Sequence, residues 1–484
     1  MVYIKNFKQM KGMKLILLFL MLICMACTNN SNVKWISTTN KNPWVQKDIA
    51  SSSIEGLEKI DIKIDINEQQ QTIDGFGGCF NELGWEALNM VTPIEKQRIL
   101  NDLFHPETGC KFNLCRMPIG ANDYAVDWYS HNEISGDFAM KYFSIDRDKK
   151  RLIPYIHEAQ KINPKIRIWA SPWCPPSWMK HNQHYACKSD PNVNDLSPEL
   201  SSTEELISRF ITEPKYFKAY ALYFSMFIKA YQQEGIDITA IHVQNEPNSA
   251  QNFPSCVWKP RDLGVLIADY LTPQFKADYI DSEIWLGTIE RPHIERVDSV
   301  LQYKNVEDNI AGVGFQWAGK GAIKKVHAKY PQMRLMQTET ECGDGSNDWA
   351  AAEYTFDLMK HYFENGTNAY MYWNMVLDET GKSQWGWKQN SMISIDSKTK
   401  IVTYNPEFYL MKHLSAFVQP GSVKLNTSGD DQNALVFYNH DSNEVIVFAH
   451  NSRQKKQSLN LQFNSKTVNI QVDAKSFNTI VVPL

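Results

Sequence analysis

Residues 418–484 alternate apolar and polar positions with a period of two, through SVKLNTS, NALVFYN, NEVIVFAHN, QSLNLQF, KTVNIQV and FNTIVVPL, with turn-forming Gly, Asp, Asn and Ser between the runs. Successive side chains of a strand point to opposite faces, so this period predicts strands with one face buried and one in water. The stretch LEKIDIKIDI at 57–66 repeats the pattern near the other end of the chain. Because the two ends of a domain commonly meet, residues 55–72 are expected to join 418–484 in an all-β sandwich.

Between these ends the pattern changes. Short, continuously apolar runs at 75–80, 112–119, 166–172, 238–244, 283–289, 310–317, 334–338 and 369–375 alternate with segments whose apolar residues lie three and four apart, such as TPIEKQRILNDLF, KYFKAYALYFSMFIKAYQQ and WAAAEYTFDLMKHYF. Continuous apolar strands suit a parallel sheet covered on both faces, and eight strand–helix repeats predict an α/β fold, a (β/α)8 TIM barrel over 73–417. GFGG at 75–78 is not read as a dinucleotide turn, since the following helix is expected only near Thr92.

The N-terminus carries Lys5, Lys8, Lys11 and Lys14 ahead of LILLFLMLICMAC, an apolar run short for a membrane span and flanked as an export signal is. Residues 1–27 resemble a bacterial lipoprotein signal whose Cys27 becomes the lipidated first residue, and the polar stretch 28–54 is expected to act as a tether. These features predict an exported protein of the periplasm or cell surface, anchored to the outer membrane.

Composition narrows the chemistry. With 50 basic and 54 acidic residues, a net charge of −4 and no long block of one sign, the chain lacks the basic footprint of a nucleic-acid partner. The cysteines after Cys27 follow no metal-ligand spacing, His181 and His184 lack a matching carboxylate motif, and DGSND at 344–348 starts like a calcium loop but has Thr355 where a glutamate is needed. No metal or other cofactor is expected.

Active sites of such barrels lie at the C-terminal ends of the strands. Two glutamates stand there: Glu246 in HVQNEP after strand four, and Glu339 in TETE after strand seven. Two carboxyl groups held across one barrel mouth suit glycoside hydrolysis, in which one gives a proton while the other attacks or activates water. Glu341 lies two residues beyond Glu339, and strand periodicity alone places both on one face. Trp385 and Trp387 in SQWGWKQN follow strand eight, where they could serve either as a sugar platform or as a cap on the barrel.

The segments GFGGCFNE (75–82), WASPWCPPSW (169–178), HVQNEP (242–247), TETE (338–341) and YWN (372–374) resemble, in order and spacing, glycoside hydrolase family 30, which includes glucosylceramidases and β-1,6-glucanases. The resemblance covers about residues 57–484. It implies a retaining mechanism through a covalent glycosyl-enzyme, with Glu246 as acid/base, Glu339 rather than Glu341 as nucleophile, and Asn245 bound to the sugar 2-hydroxyl. It also implies sugar contacts from Glu82, which stands where glucosylceramidases have Asp, and an aromatic pocket wall of Trp173 and of Trp373 beside Asn374. The expected substrate is a β-linked oligo- or polysaccharide, glucosides first, then β-xylosides, fucosides or galactans. The contrasting function, a surface glycan-binding protein without catalysis, would be marked by loss of one catalytic carboxylate, and both are present.

Overall fold

A computed structural model describes residues 33–48, 60–430, 433–463 and 466–484. The signal segment and Cys27 lie outside the described residues, as do residues 57–59 at the start of the expected first strand.

Eight parallel strands close a barrel: Gly75–Cys79, Leu114–Ile119, Arg167–Pro172, Ile238–His242, Glu283–Ile289, Gly312–Gln316, Arg334–Glu339 and Thr367–Asn374. They pair in chain order, and the eighth returns to the first through Ala369 opposite Gly75. Leu114, Trp169, Ala240, Trp285, Met336, Ala369 and Met371 fill the lower interior as one buried cluster. Each expected strand is present, with ends shifted by at most two residues. GFGG serves packing here. A Cβ on Gly77 would lie 1.9 Å from the Leu114 carbonyl oxygen, so this position admits only glycine between adjacent strands, and one on Gly78 would lie 2.3 Å from Met375 Cγ and displace that side chain.

A helix at Glu82–Leu88 opens directly after the first strand, earlier than the expected start near Thr92, because Asn81 Oδ1 accepts the Gly84 N–H at 2.7 Å. Seven residues are too few for an apolar stripe to register in the sequence. The next helix, Pro93–Phe104, starts as its sequence predicts, with Thr92 capping the Glu95 N–H and proline in the first turn.

The side domain is all-β, as expected, and its nine strands form one connected hydrogen-bonded sheet around a shared core. Its order is Lys466–Val472, Gln457–Phe463, Ile62–Thr72, Val423–Ser428, Ala434–Asn439, Glu444–Asn451, Ser476–Pro483, Lys34–Thr39, Val45–Lys47. Ile62, Leu425, Val436, Val447, Leu461 and Ile480 belong to its own core. Phe448 and Phe477 lie on the other face and pack against Phe356 of the barrel helix Trp349–Glu364.

The expected tether is therefore corrected over part of its length. Lys34–Thr39 pairs antiparallel with Ser476–Pro483, buries Trp35, and donates the Trp35 indole N–H to Asn478 Oδ1 at 3.0 Å. His413, on the last barrel helix, bridges Thr38 Oγ1 (2.8 Å) and Thr479 Oγ1 (2.9 Å). The six-residue strand is rich in Thr and Ser, so its hydroxyls satisfy partners across an interface while its polar composition conceals the strand. Trp35→Ala should cost about 3 kcal/mol in denaturant unfolding, the scale of a buried aromatic truncation; a tether position would stay within about 0.5 kcal/mol of wild type.

Candidate active site

The second barrel strand reads LCRMPI, and its arginine is fully buried. A guanidinium does not give up its charge inside a protein, so burial demands acceptors around it. Arg116 donates to Glu339 Oε2 (2.9 Å), Asn245 Oδ1 (2.7 Å) and Ser171 Oγ (2.9 Å), while the rings of Trp169, Trp173 and Trp373 lie 4.9, 4.4 and 5.1 Å from its guanidinium carbon. These acceptors come from strand seven, the turn after strand four, and strand three. One side chain thus ties three sectors of the barrel mouth together.

Glu339 is the last residue of strand seven. Simple alternation would send Thr338 and Glu339 to opposite sides of the sheet, but the register with strand six breaks between Gln337 and Glu339, and both side chains reach interior partners. Thr338 Oγ1 donates to Gln316 Oε1 at 3.0 Å, and the Trp317 indole N–H donates to Glu339 Oε1 at 2.9 Å. Glu341 lies beyond the strand, paired with Lys320 and accepting from Tyr354 Oη at 2.7 Å. The two glutamates both line the cavity but differ in their partners: Glu339 meets the buried cation, Glu341 a lysine nearer solvent.

Strand four ends at His242, and Glu246 follows in a turn with a left-handed φ of 48°. Its backbone N–H donates to the Thr288 carbonyl at 3.2 Å. Gln316 Nε2 lies 3.2 Å from Glu246 Oε1 and 3.3 Å from Glu339 Oε2. These carboxylate oxygens can be no farther apart than the sum of those two distances, the lower edge of the roughly 6.5–9.5 Å range of inverting glycosidases. Burial, and next the charge of Glu339, push the Glu246 carboxyl up to about 7. Burial also raises Glu339, but Arg116, Trp317 and Gln316 all oppose that rise. Asp123 lies beside the pair, raised first by burial and then by both glutamates. All three line a cavity of about 390 Å³ with Trp173, Asn245 and Gln389.

The model of the glycosyl hydrolase family 30 TIM-barrel domain matches residues 73–418. The chain belongs to glycosyl hydrolase family 30. It is 24% identical over 424 residues to putative glucosylceramidase 1 of Caenorhabditis elegans, covering 82% of this chain and 77% of that one. It is 27% identical over 372 residues to the endo-1,6-β-D-glucanase neg1 of Aspergillus fumigatus, covering 74% and 73%. Its fold superposes on the endo-β1,6-glucanase BT3312 with a TM-score of 0.80 at 23% identity, covering 94% of this chain and 100% of that one. The family makes this an O-glycosyl hydrolase with a carbohydrate substrate.

Within the family 30 barrel, the expected site residues divide. Glu246, Glu339, Asn245 and Trp173 line the cavity. Trp373 and Asn374 form its buried support: Trp373 lies 5.4 Å from the Trp173 ring, and Asn374 is bonded to Asn81 and Gln389 at 3.0 Å each. Trp385 is buried against Trp128 at 4.7 Å, whereas Trp387 is 42% exposed and lines the cavity with Phe253. The rim position expected of Trp385 thus falls to Trp387. Glu82 stands outside the cavity: one oxygen accepts from the Val126 N–H (2.7 Å) and from Arg147 (3.0 Å), so the longer acid pins a loop instead of reaching the cleft.

Arg116, Gln316, Asp123 and Glu290 went unremarked in the sequence. A lone arginine inside an apolar strand is a signal in itself, because it must have a buried partner; the other three stand on loops or strand ends that no periodicity marks. Among the described residues, no group of three or more His, Cys, Asp or Glu is arranged to hold a metal ion. Arg116→Leu would leave Glu339 buried without its cation and should cost about 3–5 kcal/mol of stability. The loss should be larger at pH 8 than at pH 5, since the unpaired carboxyl binds its proton more tightly when folded and folding then weakens as pH rises; urea unfolding at the two pH values measures this.

Proposed function

We propose that this chain is a retaining β-glycosidase that cleaves β-linked glucosides, β-1,6-glucan or its oligosaccharides ahead of glucosylceramide-type substrates. The observation that carries this is the shared Gln316 contact: two carboxyl oxygens meet one amide nitrogen, and only one of the two carboxylates is held by a cation. A separation bounded by two contacts to one amide nitrogen lies at or below the lower edge of the inverting range, which favours direct attack. Glucosides come first because the glucosylceramidases and endo-1,6-β-glucanases among the relatives share a β-glucosyl unit.

The roles follow from the contacts. Arg116 and the Trp317 indole favour the ionised form of Glu339 against the effect of burial and aim it, so its free lone pair attacks the anomeric carbon as the glycosidic C–O bond breaks. Glu246, bound only by neutral amides, holds the proton and passes it to the leaving oxygen. Water then cleaves the glycosyl ester, giving its proton back to Glu246, and Glu339 departs as carboxylate. Asn245 turns its carbonyl oxygen to Arg116 and to Thr288 Oγ1 (2.9 Å), leaving its amide N–H2 for a sugar hydroxyl in the cavity it lines. Export, with attachment through a lipidated Cys27, completes the proposal; among the described residues no helix is long and apolar enough to cross a membrane.

Proton NMR of early products from a β-1,6-glucan oligosaccharide tests the central claim. The β-anomer should appear first, and Glu339→Ala should abolish turnover; the α-anomer first, or turnover in the variant, would refute it. Activity should fall as pH rises through about 7, because the required form of Glu246 is the protonated one. Glu246→Gln should remove that alkaline limb from the residual kcat/KM measured on phenyl β-glucoside, whose leaving oxygen needs a proton.

A further inference from the structure

The cavity wall behind Glu246 contains another buried carboxyl group, Glu290, which directly follows the fifth barrel strand. Both of its oxygens accept hydrogen bonds. Oε1 accepts from the Asn248 backbone N–H (2.9 Å) and Ser249 Oγ (2.8 Å), and Oε2 accepts from Asn248 Nδ2 (3.2 Å). All three bonds go to the turn that carries Glu246, and that turn is closed by the Ser249 N–H donating to the Glu246 carbonyl at 3.0 Å. Arg291 grips the same turn, donating from Nη2 to the Asn248 carbonyl at 3.4 Å while its Nη1 stands 3.7 Å from Glu290 Oε1. Arg291 is itself bonded through Nε to Glu205 at 2.8 Å.

The turn needs holding. Glu246 has a left-handed backbone, a conformation costly for a residue with a side chain. Its carboxyl makes only long contacts, 3.2 Å to Gln316 and 3.5 Å to Gln251, so its aim is set by the backbone beneath it. Glu339, by contrast, is gripped at both oxygens by donors at 2.9 Å. The attacking group is positioned by contacts to its side chain, the proton donor by its turn.

We infer that Glu290 is a positioning residue for proton donation: it fastens the 246–249 turn to the end of strand five and thereby fixes where Glu246 delivers its proton. This rests on the assignment of Glu246 as acid. Glutamine at 290 would preserve the clamp, since its carbonyl oxygen can accept both the Asn248 N–H and Ser249 Oγ, and the Asn248 side-chain amide can flip to meet the new NH2. Alanine would leave the buried Asn248 N–H and Ser249 hydroxyl without partners.

Two substrates read the difference. Phenyl β-glucoside needs a proton on its leaving oxygen, whereas 2,4-dinitrophenyl β-glucoside does not. Glu290→Ala should lower kcat/KM for the phenyl substrate by about 10²-fold, the effect of a misplacement near 1 Å, and leave the dinitrophenyl value within about threefold of wild type; Glu290→Gln should stay near wild type on both. Equal losses on both substrates, no loss, or a Glu290→Gln defect matching that of alanine would overturn the inference. Should Glu290→Ala fail to fold, Ser249→Ala, which removes one of the three bonds, should show a smaller loss on the phenyl substrate alone, and an equal loss on both would again overturn it. Glu246→Ala run in parallel separates the two claims: it should lose about 10²–10⁴-fold on the phenyl substrate only, and if it does not, the acid assignment itself fails.

Discussion

A guanidinium buried at the centre of a barrel must be neutralised and hydrogen-bonded where it stands, and Arg116 meets that constraint with Glu339, Asn245, Ser171 and three indole faces. Desolvating such a pair offsets much of its Coulomb attraction, so the pair contributes little net stability compared with an apolar filling. What it adds is specificity of arrangement. The acceptors belong to separate strands and loops, and the cation is satisfied only when all of them close on it together. The Glu339 carboxylate is therefore placed by the same interaction that keeps a charge tolerable in the interior.

Around this hub, regular strand geometry supplies the walls and departures from it supply the chemistry. Below Arg116 the barrel is filled by Trp169, Trp285 and Met336; His242 lies between Trp169 and Trp285, ring centroids 4.1 and 5.1 Å away, its imidazole held neutral by burial and by the cation above. Glu246 enters the cavity from a left-handed turn, Glu339 through a register break, and Trp317 from a residue whose φ is also positive. Such irregularities persist only where surrounding bonds over-determine them. Glu290 and Arg291 do this for Glu246, and Gln316 does it between the two acids.

The side domain extends that logic away from the cavity. His413 is shared by the last barrel helix, the final strand and the N-terminal strand, while Phe448 and Phe477 close the seam against Phe356. The side sheet is thus packed onto the barrel's own helices through buried apolar and hydrogen-bonded contacts.

By itself the sequence determined the architecture and marked two glutamates as candidate acids. Periods of two and of three to four residues follow from local backbone geometry, so eight apolar strands, the alternating C-terminal strands and the long amphipathic helices were legible without tertiary knowledge. Glu246 and Glu339 stood out as candidates because Glu339 closes such a strand and Glu246 follows one within four residues. The tertiary structure alone decided whatever depends on partners distant in the chain: that the polar stretch at 34–39 is a strand, that Trp387 and not Trp385 faces the cavity, that Glu82 pins a loop, and that Glu290 meets the turn of Glu246. In each case a hydrogen bond or ring contact chosen in space decides the residue's role, and neither its type nor its position along the chain encodes which partner folding will bring.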